Sequence, residues 1–530
     1  MSRSIILDFL RRAYLIHQIA EQKATSLQEA EGLLTARLSR RQTLQAGIAI
    51  AGLWGLGSPR QRAIATAART VDPVLIVGAG IAGLTAAYRL RQAGVPVHII
   101  EASSRPGGRL RSVTHNADCP NPVELGGEFI DTRHTAVRSL AAELGLEMAD
   151  LRQADAGLVP EVWYFNGQRI SPKTIVAAFA PLAKRIRQDL KAIGGHLPSH
   201  QRANPTAQRL DRLTLAEYLE AQDLDPVLNQ LVRVAYITEY GQDAEAQTCL
   251  NMLFLIGKEV GQWSTYGVSD ERWHVVGGNE SIPRALAQHL SDGIELGTRL
   301  ESIRTAPDGR YRVSLRQGDR SQEHTYERIL LTVPFSVLRG VELAVEMPPL
   351  KRQAIQELGY GLSSKLAVPF YERLWRTRYA STISTYTDQE FQNTWESSRY
   401  VKGDRGWVTN LRGGIAGVRL GSGSPAAHAA KLVADLEPIF PGIQEVKRGR
   451  ALRTFWAVEP YALGAYSCYL PGQMTTFGGV EGERVGNLWF AGEHCSRESQ
   501  GYMNGACETA ELAARSILQD LGVRRIVQTT

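Results

Sequence analysis

Pro73-Val74-Leu75-Ile76-Val77-Gly78-Ala79-Gly80-Ile81-Ala82-Gly83 is the stretch on which the fold turns. Val74 to Val77 is a short apolar run, as expected of a strand buried on both faces. The glycines behind it are spaced Gly-x-Gly-x-x-Gly, and a helical pattern continues over 84–93. A second apolar strand follows over 95–100 and ends at Glu101. Each piece suits a dinucleotide. Gly78 allows the tight turn, Gly80 lets the backbone approach a pyrophosphate, and Gly83 lets helix and strand pack closely. The helix N-terminus behind the glycines offers unpaired N–H groups and the positive dipole end to the phosphates. Glu101, followed by Ala102, lies about 20 residues downstream, where a carboxylate accepts hydrogen bonds from ribose hydroxyls.

Such a βαβ unit serves NAD and FAD alike, and the residues beyond it separate them. Arg105-Pro106-Gly107-Gly108-Arg109 comes next, then Val123-Glu124-Leu125-Gly126-Gly127-Glu128-Phe129-Ile130. Further on stand Trp273-His274-Val275-Val276-Gly277-Gly278-Asn279-Glu280, the strand 294–303 and Ile329-Leu330-Leu331-Thr332-Val333-Pro334. Lys365 precedes Phe370 and Trp375, and the chain closes with Ala491-Gly492-Glu493-His494 and Gly501-Tyr502-Met503-Asn504-Gly505-Ala506. In this order, from about residue 73 to 521, the motifs resemble the flavin amine oxidase family, which includes monoamine, polyamine and L-amino acid oxidases.

The resemblance implies FAD. Gly78, Gly80, Ile81, Ala82, Gly83, Glu101 and Ala102 would hold its nucleotide half, with Arg105, Gly108 and Arg109 along the diphosphate. Leu125, Gly126 and Gly127 would pass close to the flavin ring, because glycine backbone can touch a flat ring, and Arg109 can neutralise a phosphate. Leu300 would lie beside the adenine. Gly492, Glu493, Gly501, Tyr502 and Met503 would complete the site. One departure is visible: where the family commonly has an arginine two residues after the ribose acid, this chain has Ser103.

By the same correspondence three residues are catalytic candidates. Tyr466 and Tyr502 match the facing tyrosines of monoamine oxidases, whose electron-rich faces steer an amine towards the flavin. Lys365 matches a lysine that holds a water beside the flavin. It adjoins the apolar Leu366-Ala367-Val368, where burial of a charge is costly without a role. Trp456, Phe129 and Glu128 are the substrate-pocket candidates. Ala465 stands where some monoamine oxidases carry a cysteine bonded to the flavin, so the FAD is expected to be non-covalent.

The substrate is read as a primary amine, oxidised to an imine with release of ammonia and of hydrogen peroxide if oxygen is the acceptor. Snake-venom-type L-amino acid oxidases carry a carboxylate-binding arginine just after the second Gly-Gly, and here there is none until Arg133. An L-amino acid oxidase or dehydrogenase for basic amino acids remains the alternative. Glu128, Glu239 and Asp243 are acids able to meet a cationic tail. Oxygen and a quinone both remain open as acceptor, and an FAD-dependent desaturase is the outside reading.

The rest of the chain bounds these readings. It has 530 residues, 43% hydrophobic and 22% charged, enough for two packed domains. The net charge of +6 is spread along the chain without the dense basic patch of a nucleic-acid binder. The five cysteines are scattered, with neither metal-ligand spacing nor a disulfide framework. Leu38-Ser39-Arg40-Arg41-Gln42-Thr43-Leu44, an apolar run over 44–57 and small-residue sites near 63–67 follow the order of a twin-arginine export signal. Export by that machinery to the periplasm or exterior is expected, with no stable membrane anchor. The expected architecture is α/β: a discontinuous FAD-binding Rossmann-like (GR2-type) domain from 73–129, 272–334 and 448–521. A substrate domain from 130–271, helical from about 131 to 257, and 335–447, a mixed sheet, completes it. Residues 1–68 form the N-terminal extension, and 194–205 and 413–425 read as loops.

Overall fold

The computed structural model describes residues 71–114, 121–256 and 269–523, so the twin-arginine pattern and its apolar run lie outside the described residues. The opening strand, Val74–Val77, is buried throughout because it lies in the middle of a five-stranded parallel sheet. Ile329–Leu331 pairs on one side of it and Val97–Glu101 on the other, with Leu75 opposite both Ile329 and His98. Leu488–Phe490 and Ile294–Leu296 form the two edges. Three stretches remote in sequence thus complete what one βαβ unit starts. Helix Ile81–Gln92 and the C-terminal helix Met503–Asp520 share one apolar core on this sheet, built on Leu84, Leu90, Ala506, Ala510 and Ile517.

A four-stranded sheet, Arg320–Tyr326, Tyr311–Gln317, Thr298–Thr305 and Glu342–Ala344, adjoins this unit. The third layer is a seven-stranded sheet in the order Leu452–Phe455, Ser364–Phe370, Gly406–Arg412, Asn393–Glu396, Thr385–Thr387, Val162–Phe165, Gln168–Arg169. It is mixed, since Thr385–Thr387 pairs parallel to Val162–Phe165 and the other ladders are antiparallel.

Helices cover part of this sheet, and their starts follow from local chemistry. Ser171, Asn204, Thr214 and Asp225 cap the helices Pro172–Ile193, Pro205–Asp211, Leu215–Glu220 and Pro226–Tyr240, each accepting a hydrogen bond from a first-turn N–H. Three of the four have proline in the first turn, where no N–H is needed. Among the described residues no helix is long and apolar enough to cross a membrane, and no cluster of His, Cys, Asp and Glu could hold a metal ion.

Three expectations need correction. Leu452–Phe455 belongs to the seven-stranded sheet, paired with Ser364–Phe370, although it follows the start assigned to the last cofactor-domain segment. Among the described residues the stretch expected to be helical from 131 to 257 also holds strands. Met148–Asp150 pairs with Trp273–Val275, and Val162–Phe165 with Thr385–Thr387, so partners more than a hundred residues away decide these strands. Residues 414–421 are helix rather than loop. The glycines there serve packing: a β-carbon on Gly413 would lie 2.1 Å from the Ile237 carbonyl oxygen, and one on Gly417 2.1 Å from that of Leu362.

Candidate active site

The glycine turn, the carboxyl end of the central strand and the C-terminal helix enclose a cavity of about 760 Å³. Gly78, Gly80, Ile81, Ala82, Glu101, Ala102, Arg105, Gly108 and Arg109 line it, as do Gly127, Leu300, Trp456, Tyr466, Gly492, Glu493, Gly501, Tyr502 and Met503. Its walls therefore join the glycine turn to the two tyrosines.

The three glycines of the turn do different things. Gly78 has φ +105°, a conformation costly for a side chain. A β-carbon on Gly83 would lie 1.9 Å from the Gly78 carbonyl oxygen, so helix and strand meet only because Gly83 has none. Gly83 itself is not on the cavity wall. Gly80 has no atom within 4 Å of where its β-carbon would be, and the space it leaves open is the cavity. Gly80 is also the N-cap of Ile81–Gln92 without a side-chain cap, and the first turn holds no acid. A phosphate fits there: unpaired N–H groups, the positive dipole end and no competing carboxylate.

Glu101 is buried and held rigid. Its Oε2 accepts from the Ala79 N–H at 2.8 Å and its Oε1 from the Ser103 N–H at 2.8 Å. The Ser103 hydroxyl lies 2.7 Å from that same Oε1, so the serine in the arginine's place braces the ribose acid. Arg105 touches the cavity, yet its guanidinium donates to the carbonyls of Pro106, Gly108 and Leu110 and pairs with Glu280 at 3.2 Å. It staples the loop over which a diphosphate would lie.

Arg109 pairs with Glu493 at 2.9 Å. Glu493 also accepts from the Ser467 N–H and hydroxyl and from the Gly501 N–H, which ties four chain segments together at one carboxylate. Burial alone would raise the Glu493 carboxyl, but the Arg109 charge and these donors hold it below the ordinary range. His494 beside it is buried against Phe335 and pushed down to about 3 by burial, so the ring is neutral.

Tyr466 and Tyr502 both reach the cavity, and Gly501 makes room for them. It has φ +84°, and its β-carbon would lie 2.8 Å from Cδ2 of Tyr466. The Tyr502 ring packs against His134 at 4.7 Å between centroids. Both hydroxyls turn to one residue in the last turn of Pro226–Tyr240: Tyr502 donates to Glu239 Oε1 at 3.2 Å, and Tyr466 to the Glu239 main-chain carbonyl. Trp456 packs with Ala462, Ala465 and Tyr466, and its indole N–H is buried without an acceptor.

Lys365, Glu128, Phe129, Leu125 and Gly126 are not on the wall of this cavity, and this corrects the sequence reading. Lys365 and Glu128 are both buried and face each other at 2.7 Å. The lysine donates also to the carbonyls of Gly126 at 2.9 Å and Glu124 at 3.4 Å. Its three N–H bonds each have a protein acceptor, where a water-holding role was expected. Burial pushes the Glu128 carboxyl up, but the Lys365 ammonium, with Ser397 and Trp395, more than reverses this and holds it low. Glu128 is thus an ion-pair partner rather than an acid open to substrate. Gly126 is a packing glycine, its β-carbon position 2.0 Å from the Arg109 carbonyl oxygen. Phe129 packs with Leu151, Trp395 and Leu411. Asp243 accepts from the Ile415 N–H at 3.0 Å at the start of the 414–421 helix, and has no place on the cavity wall.

Two residues escaped the sequence reading. His134 carries no motif of its own and is recognised only by its contact with Tyr502. Glu124 is buried and bonded to Ser112, His274 and Asn279. The signal for it was an acid just before Leu125-Gly126-Gly127, in an otherwise apolar run.

Residues 81–518 match the family described as flavin containing amine oxidoreductase. The flavin-containing amine oxidase of Oncorhynchus mykiss is 24% identical over 480 residues, 86% of this chain and 87% of that protein. Lysine-specific histone demethylase 1 homolog 1 of Oryza sativa subsp. japonica is 27% identical over 469 residues, 84% of this chain but 52% of that protein. Among solved structures, cyclohexylamine oxidase from Brevibacterium oxydans IH-35A superposes with TM-score 0.73 at 22% identity, over 85% of this chain and 100% of the other. Putrescine oxidase bound to putrescine does so with TM-score 0.73 at 21% identity, over 84% and 99%.

Proposed function

The chain belongs to the flavin-containing amine oxidoreductases, and from that premise we propose that it oxidises the C–N bond of a primary amine, with FAD held non-covalently. The observation that carries this reading is the tyrosine pair on the cofactor cavity, with both hydroxyls drawn to Glu239. The cofactor, when bound, supplies the hydride acceptor. The glycine turn and the first N–H groups of Ile81–Gln92 hold the diphosphate, with Glu101 at the ribose. Tyr466 and Tyr502 orient the substrate, their ring faces favouring its nitrogen. Holding two reactants in a near-attack geometry is worth roughly 7–11 kcal/mol at best. The amine reacts with its nitrogen uncharged, loses a hydride and a proton to become an imine, and water converts the imine to an aldehyde and ammonia. With oxygen as the terminal acceptor the two electrons and two protons leave as hydrogen peroxide.

Glu101, Ser103 and Leu300 on the same cavity as the tyrosines support a dinucleotide, hence FAD. Ala465 offers no sulfur for a covalent link. A second reading, an L-amino acid, needs an arginine for the substrate carboxylate, and Arg399, 5.5 Å from the Phe129 ring centre, is not on the cavity wall. Its Nε and Nη2 are already paired with Asp155, which disfavours a substrate carboxylate there.

The deciding experiment mixes the purified flavoprotein anaerobically with primary amines and, separately, with L-amino acids, following the flavin absorbance. Bleaching by amines alone is expected, and acid precipitation should leave all the flavin in solution. Bleaching by amino acids alone would move the assignment to the second reading. The twin-arginine pattern supports export: Arg40→Lys/Arg41→Lys is expected to hold the enzyme in the cytoplasmic fraction, and unchanged fractionation would refute that.

A further inference from the structure

The helix Pro172–Ile193 turns one stripe into the core: Ile175, Phe179, Leu182, Ile186, Leu190 and Ile193 are buried. The opposite stripe carries Lys173, Lys184 and Lys191, all exposed. They are eleven and seven residues apart, so at about 100° per residue they lie within about 20° of one another. The helix Pro205–Asp211 packs against it, and Asn204 at its start donates to the Ala192 and Ile193 carbonyls at 2.8 and 3.2 Å. Arg202, Arg209 and Arg212, in and beside that short helix, add three more exposed cations. The acids of residues 171–213 are Asp189 and Asp211, and both are buried. Asp189 is bonded to Arg185 and Tyr218, and Asp211 to Thr475. Beyond the stretch, Glu217 is engaged at Thr214 and Glu220 with Arg233, while Glu483 faces His200 at 3.9 Å. Among the described residues of 171–213 no large apolar side chain is exposed.

We propose that this two-helix face adsorbs, reversibly and by charge alone, onto a membrane surface of anionic phospholipid. The inference is independent of the substrate and of the cofactor cavity. Cations separated by long stretches of sequence are gathered by the packing of the two helices, and the acids between them are turned inward. The apolar stripe of the long helix is already buried in the core, so nothing inserts between lipid tails and the attachment stays at the headgroups. A protein partner is gripped chiefly through a few buried aromatic or apolar anchors, and single-stranded nucleic acid through aromatic stacking platforms. The face offers neither. Phospholipid headgroups ask only for cations held close to one plane, and the lysine row runs straight for about 27 Å. The attraction reaches about a Debye length, roughly 8 Å at physiological salt, so it is strong at contact and erased by added salt.

The test sediments the purified flavoprotein with vesicles of phosphatidylcholine alone and of phosphatidylcholine with about one-third phosphatidylglycerol. The wild type is expected to pellet with the anionic vesicles at about 0.02 M salt, to stay in solution at about 0.3 M, and to ignore the neutral vesicles throughout. Lys184→Gln/Lys191→Gln/Arg202→Gln/Arg209→Gln should lower the partition coefficient by roughly several hundredfold, at about fivefold per charge removed. The control Arg312→Gln/Arg320→Gln/Lys402→Gln/Arg405→Gln removes four exposed cations from other faces and should pellet like the wild type. Flavin absorbance and its bleaching by substrate should be the same in all three proteins, so failure here leaves the catalytic reading untouched. A wild type that ignores anionic vesicles at low salt overturns the inference. So does an equal loss in the control, which would make net charge rather than this face responsible, or binding that high salt does not release. Duplex DNA is the competing polyanion: if it strips the protein from the vesicles and stays bound at about 0.3 M salt, the face serves nucleic acid and the lipid assignment falls.

Discussion

Gly83→Ala is expected to yield a chain that loads little or no flavin and melts well below the wild type. The added carbon would lie 1.9 Å from the Gly78 carbonyl oxygen and 2.8 Å from the Thr332 hydroxyl. The nearer neighbour is backbone of the turn and cannot rotate away, so strand and helix must separate where the diphosphate would be gripped. Overpacking a close contact costs about 1–3 kcal/mol, occasionally more, and here the rigid partner places the cost at the upper end. Gly80→Ala is the informative control. Its β-carbon meets nothing within 4 Å in the protein but projects towards the space assigned to the diphosphate. That variant should keep the stability of the apoprotein while losing flavin affinity. Flavin absorbance per protein and thermal melts of the apo forms check both. A Gly83→Ala chain with full flavin and an unchanged melt would show that the turn tolerates what the geometry forbids.

The second large effect is expected at Lys365. Lys365→Met leaves the Glu128 carboxylate buried without its cation, a loss of about 3–5 kcal/mol for a broken buried pair. The pH dependence should change sign as well. In the wild type the lysine holds the Glu128 carboxyl below its ordinary value of 4.5. The pair's contribution is therefore present above about pH 4.5 and is lost as pH falls through the lowered value. Without the lysine the largest remaining influence is burial, which raises the carboxyl. The folded variant then binds a proton more readily than the unfolded chain, and its stability falls as pH rises above about 4.5. Denaturant melts at pH 5 and pH 7.5 separate the two behaviours. Lys365→Met/Glu128→Leu should recover most of the loss, because an apolar pair of similar volume replaces the ions. If the single variant is as stable as the wild type at both pH values, the ion pair does not hold this corner together. Rates of flavin bleaching in the double variant then show whether the lysine takes part in chemistry beyond its structural pairing.

What could be read from the residues alone shares one property: its cause lies within a few consecutive positions. The strand 74–77, the glycine turn and Glu101 form a unit of about thirty residues whose turn and helix start are set by backbone sterics. The same holds for the absence of a cysteine at Ala465. Only the tertiary structure decided the rest. The strand Leu452–Phe455 belongs to a sheet whose other members lie far away, and Gly413 and Gly417 read as loop until the Ile237 and Leu362 carbonyls are seen against them. Glu128 and Lys365 lie 237 residues apart, and Glu239 reaches a tyrosine 263 residues further on. Whether a carboxylate meets a lysine, a substrate or water depends on which face of its segment turns inward. On a strand, one residue of register reverses that face. Periodicity says that a side chain is buried, but its partner is chosen by the packing of segments that carry no record of one another.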